Sequence, residues 1–107
     1  MSMNNDLRKL TLVMAVGLCE AIQRKALSIE EAAHYLFSPH TMRLFADDPE
    51  VGNIIHIATE FGDLARLMPT ALVDAIADVK SQALIALARS LPCDFQQGPW
   101  LDNLLPR

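Results

Sequence analysis

Aromatic residues are scarce: phenylalanine, tyrosine and tryptophan together make up 6% of the chain. Sandwiches and barrels draw on aromatic and β-branched side chains to fill their pleated faces, so this shortage, beside abundant alanine and leucine, speaks against both. No stretch alternates apolar and polar residues long enough to predict a strand. Cysteine is nearly absent too. Cys19 and Cys93 form no CxxC pair and match no metal-ligand spacing, which excludes a disulfide framework and a zinc ribbon. Both are expected to be reduced intracellular thiols, with Cys19 in the core.

Positive charge is in the minority. Nine Lys and Arg stand against 13 Asp and Glu, for a formal net charge of −4. Such a chain repels phosphate backbones, and the basic candidates Arg8, Lys9, Arg24 and Lys25 sit as two pairs at opposite ends of one predicted helix. They read as solvated helix ends rather than a nucleic-acid groove. No apolar run reaches the ~20 residues that a membrane-spanning helix needs. Residues 8–19 imitate a secretory signal, with Arg8 and Lys9 before an apolar run. Asp6 lies in the basic part, and bulky Leu18 precedes Cys19 where a lipoprotein signal wants a small residue. The segment is therefore expected to be the first core helix of a cytoplasmic protein. There is no internal repeat and no low-complexity tract.

What is present is helical. Half of the chain (51%) is apolar, enough for 107 residues to bury a core as one domain. Leu7, Leu10, Met14, Leu18, Ala21 and Ile22 recur at steps of three and four and predict a long helix over about residues 5–25. Val13, Val16 and Gly17 widen the stripe, and Gly17 permits a close helix crossing or is a tolerated cost of about 1 kcal/mol. Ser28, Ile29, Glu30 and Glu31 form a capping box that starts a helix carrying Ile29, Ala32, Ala33, Leu36 and Phe37 inward. Ser38 with Pro39 opens a short helix whose apolar contacts are Met42, Leu44 and Phe45, and Asp48 with Pro49 and Glu50 opens another. Val51, Ile54, Ile55, Ala58 and Phe61 form that helix's inner face, and Gly62 with Asp63 is expected to end it. A turn through Leu64 and Leu67 leads to Pro69. Leu72, Val73, Ile76, Val79, Ala83, Leu84 and Leu87 then mark a second long helix that ends near Ser90, before Pro92. The predicted architecture is an all-α bundle of about five helices over residues 5–90. A proline-rich tail over 91–107, with Pro92, Pro99, Pro106 and Trp100, is expected to dock on it.

Chemical constellations are weak. His56 and Glu60 stand four apart, a spacing that can put two metal ligands on one helix face, but no third ligand appears nearby. A surface ion pair or capped polar contact is the expectation, with no metal and no cofactor. Ser38 lies between His34 and His40, yet lacks an orienting third group and already serves as a cap. Asp74 and Asp78 lie one turn apart; they fit a solvated face, or one turned to a basic partner, better than an acid–base pair. Asp47, Asp48, Glu50, Glu60, Asp63, Asp74, Asp78 and Trp100 are accordingly the candidate partner-binding residues, and no catalytic residue is assigned.

The blocks Leu27 with Ser28, Ile29, Glu30, Glu31 and Ala32, then Tyr35, Leu36, Phe37, Ser38, Pro39, then Thr41 and Met42, resemble a family of small bacterial helical proteins of uncharacterised role. Ile55 to Glu60 in sequence (Ile, His, Ile, Ala, Thr, Glu), Leu64, and Leu67 with Met68 and Pro69 look like its second half. The likeness spans roughly residues 7–90 and implies a fold rather than an activity. By type, a small acidic all-helical chain is also similar to the immunity proteins of contact-dependent growth-inhibition systems. That similarity implies tight binding to a cognate toxin domain, often a nuclease, by occlusion. The alternative is a regulatory or scaffold module that oligomerises or binds a helix.

Overall fold

Three helix starts in the chain are written in side-chain chemistry, and a computed structural model, which describes residues 2–92 with side chains from residue 5 onward, places all three as expected. Six α-helices run through the described residues: α1 Ser2–Gln23, α2 Ile29–Tyr35, α3 Pro39–Leu44, α4 Pro49–Thr59, α5 Phe61–Leu67 and α6 Pro69–Ala88. The Ser28 hydroxyl accepts from the Glu31 N–H at 3.0 Å, and the Glu31 carboxylate accepts from the Ser28 N–H at 3.1 Å. Ser38 caps α3 by accepting from Thr41 N–H, and Asp48 caps α4 by accepting from Val51 N–H, each at 3.3 Å and each followed by proline at the first helical position. These side chains satisfy backbone donors that a helix start leaves without partners.

The end of α1 follows a rule the composition conceals. Ala26 N–H donates to Ala21 C=O at 2.9 Å and Lys25 N–H to Ile22 C=O at 3.0 Å, a Schellman closure. The left-handed position of that motif is ordinarily glycine; here it is Lys25, with φ of 62°.

The segment after α4 departs from the expectation. Residues 61–67 form α5 instead of a turn, giving six helices rather than about five. Gly62 and Asp63 lie inside α5 and end nothing. The break falls at Glu60, which closes α4 through an N–H to the Ile57 carbonyl at 3.0 Å and whose own carbonyl accepts the first bond of α5 from Leu64 N–H at 3.0 Å. Gly52 is the glycine that a close approach requires, since a Cβ there would sit 3.2 Å from the Phe45 carbonyl oxygen where α3 meets α4.

Packing centres on the two long helices. α1 and α6 form the most extensive helix pair, α4 and α5 lie against α6, and α3 lies against α4. Glu20 meets Lys80 and Arg8 meets Ser90, so α1 and α6 run antiparallel. The core holds Leu12, Ala15 and Cys19 of α1, Val51, Ile54, Ile55 and Ala58 of α4, Phe61 of α5, and Ile76, Val79, Ala83 and Ala86 of α6. Phe37 and Phe61 meet edge to face, with centroids 5.7 Å apart and rings at 84°.

This core corrects the predicted faces. The innermost residues of α1 are Leu12, Ala15 and Cys19, rotated away from the predicted stripe; Leu7 and Val13 are exposed. On α6, Val73 and Leu84 face solvent, and Leu44 of α3 is exposed as well. Gly17 is exposed, and a Cβ there would touch nothing within 4 Å, so it makes no close crossing among the described residues. Both long helices are apolar on more than one side, and periodicity then fails to say which side turns inward. Among the described residues no helix is long and apolar enough to cross a membrane. The tail docking expected for 91–107 falls outside the described residues from 93 onward.

Two stability outcomes follow. Lys25→Gly relieves the left-handed strain and is expected to raise unfolding stability in urea by roughly 0.5–1 kcal/mol. Phe61→Ala, at a side chain with no exposure, is expected to cost about 3–5 kcal/mol in the same measurement.

Candidate functional site

Asp48 reaches its place by capping α4, and Glu50 by occupying the first turn of that helix. The same corner receives Arg8 from α1 and Ser90 from just beyond α6. Arg8 Nε donates to Asp48 Oδ2 at 2.7 Å, Nη2 donates to Glu50 Oε1, and Nη1 donates to Ser90 Oγ at 2.7 Å. Ser90 Oγ in turn donates to the Ala86 carbonyl at 2.7 Å, and Arg89 donates to the other Glu50 oxygen. The planar guanidinium, with several donors held in a fixed fork, ties α1, α4 and the end of α6 together. Only 20% of the Arg8 side chain is exposed, so these bonds are screened less than ordinary surface pairs. Arg8 was expected to be a solvated helix end; it is instead the hub of an ion-pair network.

The other candidate residues do not gather around that hub. Asp63 pairs with Arg66 of its own helix at 2.9 Å, both well exposed, a geometry that contributes little. Asp78 accepts from Gln82 at 2.7 Å. Asp47 beside the α4 cap, Glu60 at the α4–α5 break and Asp74 on α6 are exposed, and their carboxylates form no hydrogen bond or ion pair among the described residues. Trp100 lies outside the described residues. Of the predicted set, then, the structure joins Asp48 to Glu50 through Arg8 and leaves the rest apart.

A second charged cluster escaped sequence reading. Lys80 Nζ donates to Glu20 Oε1 at 2.8 Å and to Gln23 Oε1 at 2.5 Å, while Arg24 Nε donates to Glu20 Oε2 at 2.5 Å. The Glu20–Arg24 spacing was legible as a one-turn pair. The Lys80 partner, 60 residues away, was not. Hydrogen bonds from Lys80 and then Arg24, with their charges adding to the effect, hold the Glu20 carboxyl well below the usual 4.5, at about 2. Beneath this cluster, burial pushes the Cys19 thiol up to about 12, with the Lys80 charge opposing the rise.

The remaining chemical candidates are placed without a constellation. His34, His40 and His56 are exposed. Ser38 Oγ accepts from the Thr41 N–H and lies 3.2 Å from Thr41 Oγ1, so its oxygen is occupied as a cap. Among the described residues no group of three or more His, Cys, Asp or Glu is arranged to hold a metal ion. An open hollow lined by Ile22, Ala26, Leu27 and Ile29 also includes Ser28 and Glu31, whose polar groups are spent on the capping box.

The family described as "Protein of unknown function (DUF3969)" matches residues 2–102. The chain belongs to this family. Its match takes in every helix described above and extends beyond them. Neither a curated protein nor a solved structure matches the chain.

Because the folded carboxyl of Glu20 is depressed, its contribution is fully present above pH 4.5 and is lost as pH falls through about 2. Denaturant titrations should show wild type more stable than Glu20→Gln at pH 7, with the gap closing between pH 4.5 and 2. Arg8→Ala removes the three hydrogen bonds that join α1 to Asp48, Glu50 and Ser90, and is expected to cost about 1–3 kcal/mol in urea. Alkylation of the native protein at pH 8 should leave Cys19 unmodified until denaturant is added.

Proposed function

We propose that this chain is an immunity protein that binds a cognate toxin domain in the cytoplasm and blocks its active site or substrate groove. The observation that carries the reading is a set of exposed carboxylates, Asp47, Glu60 and Asp74 among them, that no cation of the described residues holds. Together with a net charge of −4, they suit a basic, nuclease-like domain whose own substrate is a polyanion. Asp78, held only by a neutral amide, belongs to the same surface chemistry. Asp48 and Glu50 act differently, since their charge is already neutralised by Arg8 and Arg89. Occlusion of this kind requires no catalytic group.

A second reading, a non-catalytic scaffold module acting through self-association, draws on Leu67, Met68 and Val73 around the α5–α6 turn, with Leu67 70% exposed.

Co-expression with the product of the neighbouring upstream reading frame tests the first reading. A stoichiometric complex with a basic domain that kills cells when expressed alone, and growth rescue by this chain, is the expected result. In that complex, Asp47→Lys or Asp74→Lys with Asp78→Lys should slow association roughly tenfold or more at low salt, with the effect fading as salt rises. Absence of any companion or rescue, with a concentration-dependent dimer that Leu67→Glu abolishes, would overturn immunity in favour of the scaffold.

A further inference from the structure

Helix α6 buries one side only. Ile76, Val79, Ala83 and Ala86 enter the core, whereas Val73, Leu84 and Ile85 stand on the outer side at 66%, 47% and 54% exposure. Exposed Ala77, Ser81 and Ala88 fill the strip between them. With 20 residues the helix is roughly 30 Å long, so the outer side is a long apolar face without cover among the described residues. Its two ends differ in charge. Asp74 is exposed near the start, with a carboxylate that no cation of the described residues holds. Arg89 stands just past the end, where its N–H still donates to the Ile85 carbonyl at 3.2 Å and so keeps the helical register. Its side chain is 65% exposed and gives Nη2 to Glu50; a guanidinium has five donors, so others remain to offer.

We infer that this face of α6 packs against the same face of a second copy of the chain, antiparallel and with Ser81 at the two-fold axis. A contact between identical patches has to be self-complementary, and this face is. With Ser81 on the axis, residues equally far before and after it lie at one level across the contact, so Ala77 meets Ile85 and Val73 meets Arg89. The bulky side chain lies against the small one, and the valine lies along the aliphatic stem of the arginine. The same rotation turns each flank of α6 towards its own copy. Asp74, Ile85 and Arg89 share one flank, because the steps between them are close to three turns and to one turn. The Asp74 carboxylate of each copy therefore comes within one residue's rise, about 1.5 Å, of the level of the other copy's Arg89. A parallel pairing would instead set like charges together at both ends, which is unfavourable. An unrelated helix would have to match both the steps in size and the charge at each end; a second copy supplies them by symmetry. The inference does not rest on toxin binding, since Asp47 and Glu60 lie outside α6, and it leaves Leu67 and Met68 outside the contact.

Sedimentation of the full chain at ~0.5 mM, above the micromolar range expected of a small helix contact, should give twice the 11.8 kDa of one copy, falling towards one on dilution. Ala77→Glu buries a charge against Ile85, and Asp74→Arg sets arginine against arginine. Each should weaken the dimer roughly tenfold or more, whereas Asp74→Arg combined with Arg89→Asp should restore it. Leu67→Glu should leave the mass unchanged. A chain that stays at 11.8 kDa at the top concentration overturns the inference. So does a dimer indifferent to Ala77→Glu, or one that Leu67→Glu abolishes. A second measurement holds if the charge variants fail to fold. In a Cys93→Ser background, with Cys19 buried, air oxidation catalysed by copper phenanthroline should join Ser81→Cys copies through a disulfide. Thr70→Cys copies, about 16 Å along the helix from the axis, should stay single. Equal cross-linking at the two positions would overturn the inference.

Discussion

Everything in this fold is arranged on the antiparallel pairing of α1 with α6. These are the two longest helices, and every other helix described packs on one of them or on an element that does. Their buried faces are rich in small residues: Ala15 and Cys19 on α1, Ala83 and Ala86 on α6. Small side chains let two helix axes approach closely, so that burial comes from many short contacts rather than a few large rings. The larger side chains, Ile54, Ile55 and Phe61, come from α4 and α5, which close the core from the other side. This division explains how a chain so poor in aromatics still fills an interior.

Charge does two jobs in separate places. Near one end of the long pair, Arg8 gathers Asp48, Glu50 and Ser90 into a network that locks the start of α4 against the ends of α1 and α6. Near the other end, Lys80 and Arg24 share Glu20. Both are clasps between elements distant in sequence, and both consume charge that a count of residues assigns to the surface. Asp47, Glu60 and Asp74 are among the carboxylates that no cation of the described residues holds, and they keep charge to offer a partner. The net negative charge is therefore less informative than the question of which acids are already engaged.

For the candidate interface, sequence spacing supplied the residues but not their standing. Asp48 and Glu50 read in the sequence only as the cap and first turn of a helix, yet Arg8 reaches them across 40 and 42 residues. Nothing in local pattern encodes such a pairing, because it depends on where α1 lies relative to α4. Glu60 had been paired with His56 in expectation; in the fold Glu60 is the hinge residue between two helices, a role that the neighbouring Gly62 obscured.

The sequence by itself determined the all-helical class and most helix starts. Ser28 with Glu31, Ser38 with Pro39 and Asp48 with Pro49 each satisfy or replace backbone donors within three residues, so their meaning is complete without any tertiary contact. Tertiary structure alone decided the rotation of the long helices. Val13 and Leu84 are as apolar as Leu12 and Ala83, and only the arrival of neighbouring helices settles which pair is buried. It alone decided the ion-pair partners as well, and the folding of residues 61–67 as a separate helix. Local hydrogen bonds are satisfied over a few residues and leave a local signature; burial and charge pairing are properties of a surface that does not exist until the chain has folded.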